Sequence, residues 1–278
     1  MNTLEFQHVE KSFNRKKILD DVCLKLENGV YGLLGENGAG KTSLFRCITN
    51  YYKYQGQILL NGEKMKGKRL REIGYLPQSF VGFPELTVEE MLDYFAVLKK
   101  IGKKERREQV EHCLTSTHLN DIRHKKIKTL SGGMVRRLGV AQAILGDPGI
   151  LILDEPASGL DPEERNRLNK VLIELAGDRI VLMSTHIVED VEACCDHLLV
   201  MQDGRIVFQG IPTDIREYAA GRILEIPQDQ LSSEEGSSII KVYYREDRKM
   251  VRVMTEEPVE EAVEPTVEDG YLCLCQKK

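Results

Sequence analysis

The run Gly35-Glu36-Asn37-Gly38-Ala39-Gly40-Lys41-Thr42 constrains this chain more than any other feature of its 278 residues. It follows the apolar stretch Val30–Leu34 and precedes Leu44, Phe45 and Ile48, which recur at helical spacing. The order is therefore strand, glycine loop, helix. Glycines let backbone N–H groups turn inward around phosphate oxygens, and the positive end of the helix adds its dipole. In this pattern Lys41 supplies charge to the β- and γ-phosphates, and the Thr42 hydroxyl can ligate Mg2+. Asn37, Gly38, Ala39, Gly40 and Ser43 complete the expected nucleotide-binding set.

Two further pieces fit that chemistry. Ile150–Leu153 is apolar throughout, as a strand buried on both faces of a parallel sheet should be, and it ends in Asp154-Glu155. That places Asp154 at the carboxyl edge of the sheet, beside the phosphate loop, where it can hold Mg2+. Glu155 projects next to it and can polarise an attacking water as general base. Leu130-Ser131-Gly132-Gly133-Met134 then offers Ser131 as an N-cap and two glycines at the start of a helix bearing Leu138, Ala141 and Leu145. This is a second helix end suited to an anion.

The rest of the chain alternates strand and helix. Leu4–Val9 and Val22–Leu26 read as strands, as does Ile58–Leu60 before the tight turn Asn61-Gly62. Thr87 to about Leu119 reads as helical, opened by a capping box of Thr87 and Glu90. The basic run Lys99–Arg107 reads as a solvated helix connection. Pro162–Leu175 is a helix and Ile180–Ser184 a buried strand. Leu198–Met201 and Ile206–Phe208 are strands around Asp203-Gly204. After Gly210 the character changes. Ile223–Ile226, Ile239–Tyr244 and Met250–Met254 look like strands, the last two joined at Glu246-Asp247, and Val267–Leu274 is read as helical. The expectation is an α/β fold with a mixed sheet, an antiparallel edge and a small C-terminal α+β unit.

Composition excludes some partners. The net charge is −5, from 39 basic and 44 acidic side chains. A mildly acidic chain is a poor match for nucleic acid, whose phosphates need a basic surface. No apolar run approaches the roughly 20 residues that span a bilayer, and Met1–Glu10 lacks a signal pattern. The reading is a cytoplasmic chain that reaches a membrane through a partner. Of the seven cysteines, none forms C-x-x-C. The C-x-C of Cys273 and Cys275 is read as partly buried free thiols rather than a copper or redox site.

The ordered set Gly35–Thr42, Gln78, Leu130–Met134, Ile150–Glu155, Ser158-Gly159-Leu160-Asp161 and His186 resembles the nucleotide-binding domain of ATP-binding cassette (ABC) proteins. The resemblance covers residues 1–212, with a helical insertion at about 79–140, and leaves 213–278 as an accessory domain. It implies a P-loop NTPase core with ATP and Mg2+ as cofactors. Phe13 would stack on adenine, where the family usually has tyrosine. Gln78 would touch Mg2+ or the lytic water, and His186 the γ-phosphate. Ser131, Gly132 and Gly133 would grip the γ-phosphate bound to an opposite subunit, and Asp161 would couple the two sites. Met134 stands in place of the commonest glutamine, which spares the backbone donors.

Gly74-Tyr75-Leu76-Pro77-Gln78, Met134–Gly139 and Ser184–Val191 are similar to bacterial exporter ATPases, which work with a separately encoded multi-spanning permease. That implies a homodimer or paired cassette in the complex. The alternative is a soluble cassette ATPase acting on ribosomes or DNA. Such proteins usually carry two cassettes or long coiled coils, and this chain has one cassette and a short insertion.

Overall fold

The computed structural model describes residues 1–231 and 237–276. The chain divides into two compact units, Met1–Gln209 and Gly210–Lys278. In chain order the first holds β1 (Leu4–Phe13), β2 (Lys16–Leu26), β3 (Gly29–Leu34), α1 (Lys41–Ile48), β4 (Gln55–Leu60), β5 (Glu63–Lys64), β6 (Ile73–Leu76), α2 (Val88–Leu98), α3 (Lys103–Ser116), α4 (Gly132–Ile144), β7 (Ile150–Asp154), α5 (Pro162–Ala176), β8 (Ile180–Thr185), α6 (Val188–Cys194), β9 (His197–Gln202) and β10 (Arg205–Gly210). The second holds β11 (Ile223–Pro227), β12 (Ser237–Arg245), β13 (Arg248–Thr255) and α7 (Val267–Gln276).

The central sheet of the first unit has the order β10-β9-β3-β8-β7-β6. The pairs β3–β8, β3–β9, β7–β8 and β6–β7 are parallel. β10 returns from β9 through Asp203-Gly204, both at positive φ, so this edge is antiparallel. Alternate residues of the central strands feed two cores. Leu151, Leu153, Val181 and Met183 face one cluster, which holds the apolar faces of α2, α3, α4 and α5. Ile150, Ile152, Ile180 and Leu182 face the other, filled by α1 and the strands β1, β2 and β4. Burial on both faces explains the unbroken apolar runs of β7 and β8.

Two expectations are refined. β1, β2, β4 and β5 are a separate four-stranded sheet of order β2-β1-β4-β5, not part of the central sheet. The segment read as helical from Thr87 to Leu119 is two helices. Thr87 and Glu90 do form the capping box of α2, but Lys100 adopts φ 61 and Gly102 caps α3. Lys99 is not solvated either. Its ammonium donates to the Leu145 and Ala143 carbonyls at 2.6 and 3.3 Å, at the C-terminal end of α4, and burial lowers its pKa to about 8.

In the second unit β11, β13 and β12 form an antiparallel sheet. Ala219, Ile223, Met254 and Cys273 make its small core. Beside that core sits a buried ion cluster. Arg252 donates to both carboxylate oxygens of Asp269 and, at 2.5 Å, to Glu225. Cys273 donates its thiol hydrogen to the Tyr218 carbonyl at 2.9 Å.

Candidate nucleotide site

α1 starts at Gly40, which has φ 114 and offers no side-chain cap. The first turn holds no acidic residue, and its leading amides have no intrahelical acceptors. A side chain at Gly40 is excluded twice: by its φ, and by a Cβ that would lie 2.9 Å from the Ile18 carbonyl. Lys41 folds back over the loop, its Nζ donating to the carbonyls of Gly35 and Glu36 at 2.5 and 3.1 Å. Burial pushes its pKa down, against the pull of Glu155 and Asp154. An incoming phosphate would replace those carbonyls as acceptor.

A cavity of about 400 Å3 opens over this helix end. Asn37, Gly38, Gly40, Lys41, Thr42, Ser43, Gln78 and Glu155, all named from the sequence, line it. Lys16 and Ile18 line it too, and sequence reasoning missed them. The signal was the Asn14-Arg15 pair, both at positive φ. Together they turn β1 tightly into β2, so that alternate residues of the returning strand face the loop.

The acids close the cavity from the carboxyl edge of β7. Asp154 is 1% exposed. Its Oδ1 accepts from Ser184 at 2.7 Å and Thr42 at 3.2 Å. Burial raises its carboxyl pKa, partly offset by those two hydroxyls. Its Oδ2 is buried with no hydrogen-bond partner among the described residues. An orphaned carboxylate oxygen beside a threonine hydroxyl is an oxygen donor set of the kind hard Mg2+ prefers. The residues present therefore fit the cation.

Glu155 follows at φ 48, an uncommon conformation for a residue with a Cβ and one that concentrates at functional sites. Ser184 holds it there, its hydroxyl accepting the Glu155 amide at 2.9 Å. The carboxylate then accepts from the Gln78 side-chain amide at 3.2 Å and lies 3.6 Å from His186 Nδ1. With its amide N–H thus engaged, Gln78 leaves its carbonyl oxygen for other partners. Arg136 donates to the Gln78 backbone carbonyl at 2.7 Å and fixes that loop.

The remaining predicted residues lie outside the cavity lining. Phe13 is half-exposed at the end of β1 and packs edge-on against Tyr52, with Lys11 Nζ 4.4 Å from its ring centroid. Ala39 is buried in the core beneath the loop. Ser131 caps α4, accepting the Met134 amide at 3.2 Å, and leaves Gly132 exposed. At Gly133 a Cβ would meet the Glu164 carboxylate at 2.2 Å. Asp161 caps α5, accepting the Glu164 amide at 2.9 Å.

A family model described as ABC transporter matches residues 19–158, from β2 through the acids of β7. An uncharacterised ABC transporter ATP-binding protein of Bacillus subtilis is 36% identical over 216 residues, covering 77% of this chain and 72% of its own length. The chain belongs to the ABC transporter family.

As an ABC transporter ATP-binding subunit it binds ATP and is an ATP hydrolase. A Nod factor export ATP-binding protein I of Burkholderia thailandensis is 34% identical, over 78% of this chain and 74% of that protein. ABC transporter A family member 11 of Dictyostelium discoideum is 33% identical, but the match spans only 27% of its length. Among solved structures, cbiO1 of Clostridium perfringens, part of the ABC transporter complex cbiONQ, superposes with a TM-score of 0.69 at 27% identity. It covers 76% of this chain and 89% of its own. The helix from Val267 and the β11–β13 sheet lie beyond the matched family segment. Among the described residues, no helix is long and apolar enough to cross a membrane.

Proposed function

We propose that this ABC transporter subunit drives a separately encoded, multi-spanning permease as an exporter, with Mg2+ as the metal of its ATP site. The convergence of Thr42, Glu155 and Gln78 on one cavity, with Asp154 bonded to Thr42 and His186 beside Glu155, carries this reading. Thr42 and Asp154 would hold the cation, and Gln78 would contribute its amide oxygen. Mg2+ supplies charge neutralisation across the β- and γ-phosphates. Lys41 and the first amides of α1 hold the phosphates. Glu155 takes the proton of the attacking water, while Gln78 and His186 orient its carboxylate. Phe13, exposed at the end of β1, would offer its ring to the adenine.

Such a cavity is incomplete in one chain. Ser131, Gly132 and Gly133 line no part of it, although they form a second helix end open to an anion. This supports a head-to-tail pair in which each α4 end meets the nucleotide of the other chain, with Asp161 near the seam. Export is supported by the likeness to the Nod factor export protein, and the separate permease by the lack of a membrane-spanning helix among the described residues. The chain would then sit at the cytoplasmic face of the membrane. The Glu155→Gln variant tests the catalytic assignment: ATP binding should persist while turnover falls by about 10²–10⁴-fold. Near-normal turnover would remove Glu155 from the role of base.

A further inference from the structure

Outside the lining of the nucleotide cavity, the sheet of order β2-β1-β4-β5 carries successive irregularities between β1 and β2. Between the pairs Phe6–Leu24 and Val9–Val22, two residues of β1, Gln7 and His8, oppose Cys23 alone. Between Val9–Val22 and Lys11–Leu19, two residues of β2, Asp20 and Asp21, oppose Glu10 alone. These are bulges, which re-aim side chains. His8 and Asp21 sit at φ 50 and 54 as a result. The neighbouring strand accommodates the first bulge with Gly56, where a Cβ would lie 2.1 Å from the His8 carbonyl.

The two bulges bring three ligand-type side chains to one exposed point. His8 Nδ1 is 2.8 Å from Asp21 Oδ1, Cys23 Sγ is 3.5 Å from His8 Nδ1, and Cys23 Sγ is 3.8 Å from Asp21 Oδ1. We propose that His8, Asp21 and Cys23 form a zinc-binding site that staples β1 to β2. Zinc takes imidazole nitrogen and carboxylate oxygen at about 2.0–2.2 Å and thiolate sulfur at about 2.3 Å, in tetrahedral array. Such bonds set donors about 3.3–3.8 Å apart. Both sulfur distances already meet this, and only the His8–Asp21 pair must open. The donor set of imidazole, thiolate and carboxylate selects zinc over the oxygen-seeking Mg2+ and Ca2+.

A further contact prepares the sulfur. The backbone amide of His8 donates to Cys23 Sγ at 3.2 Å, which orients the sulfur toward the other two side chains. On binding, the S–H bond of Cys23 breaks, the sulfur pair forms the bond to zinc, and the proton leaves to solvent. Three protein ligands leave the fourth position to water.

The test uses the reduced full chain with all seven cysteines. Zinc should bind and shield Cys23 from alkylation by iodoacetamide, read by peptide mass. Cobalt(II) in its place should give the strong visible bands of a four-coordinate site and a thiolate charge-transfer band. Cys23→Ser and His8→Ala should remove that band and weaken zinc binding tenfold or more, with ATP turnover unchanged. A weak octahedral cobalt spectrum overturns the proposal, as does a charge-transfer band that survives Cys23→Ser. Alkylation of Cys23 at equal rate with and without zinc overturns it without any variant.

Discussion

Ser184 does more for the nucleotide site than its place in the sequence suggests. One hydroxyl donates to Asp154 and accepts from the amide of Glu155, so it sets both acids at once. Ser184→Ala should leave a buried amide unpaired and free Asp154 of its stronger partner, at a cost of about 1–3 kcal/mol. Thermal unfolding should shift down accordingly, and turnover should fall more than ATP affinity. An unchanged melting temperature and rate would mean that water replaces the hydroxyl without loss. The residues of the phosphate loop, Asp154 and Glu155 were legible because their chemistry depends on local order along the chain. Ser184, Lys16 and Ile18 were not, because they reach the site through strand register: Asp154 pairs with Ser184 across the sheet, and no local pattern announces which serine lies opposite which acid.

Elements were legible where period and caps agreed, and blurred where tertiary contacts decided. Thr87 and Ser131 cap their helices as their sequences say. The break between α2 and α3 falls at the start of the basic run read as a helix connection, but Lys103–Arg107 of that run lie inside α3, and the chain bends to bury Lys99 against the end of α4. The loop before α2 has an unburied apolar side. Phe80 packs into the core, but Val81 is 81% exposed and Phe83 49%, with Phe83 edge-on to the exposed Tyr94 at 5.3 Å. On the proposed pairing with a permease, this patch is where a permease helix would dock, since apolar anchors carry most of the energy of such an interface. Phe83→Asp should lower recovery of the chain in the membrane fraction severalfold while ATP affinity and melting temperature stay put. Equal recovery would move the docking role elsewhere.

In the second unit, Asp269 is the element-scale hinge of stability. Burial alone would raise its carboxyl pKa, but hydrogen bonds from Arg252 and Thr266 outweigh that and hold it below the usual range. A depressed carboxyl stabilises the fold above its unfolded pKa, and the contribution is lost as pH falls through the folded value. Asp269→Asn should therefore cost about 3–5 kcal/mol at neutral pH, as breaking a buried pair does. The cost should shrink in acid, where the wild-type carboxyl is protonated too. Circular dichroism during urea unfolding at both pH values reads this. A cost independent of pH would assign the effect to packing alone.

At the scale of the whole chain, the sequence announced a strand-and-helix fold with strands buried on both faces, but not what covers each face. Apolar runs such as Ile150–Leu153 look alike whatever covers them. That α1 and a separate antiparallel sheet cover one face, and helices the other, emerges only from packing. The same holds for the central claim, that one chain carries two half-sites. Its phosphate loop and Glu155 meet in a single cavity, while Ser131 caps a helix whose start does not line it. On the proposed head-to-tail pairing two chains would share two nucleotides, and blocking hydrolysis should trap the pair. Light scattering of purified Glu155→Gln with saturating MgATP is the direct measurement. The account predicts twice the monomer mass with ATP and the monomer mass with ADP; monomer under both conditions, at protein concentrations well above those of the ATPase assay, would contradict it.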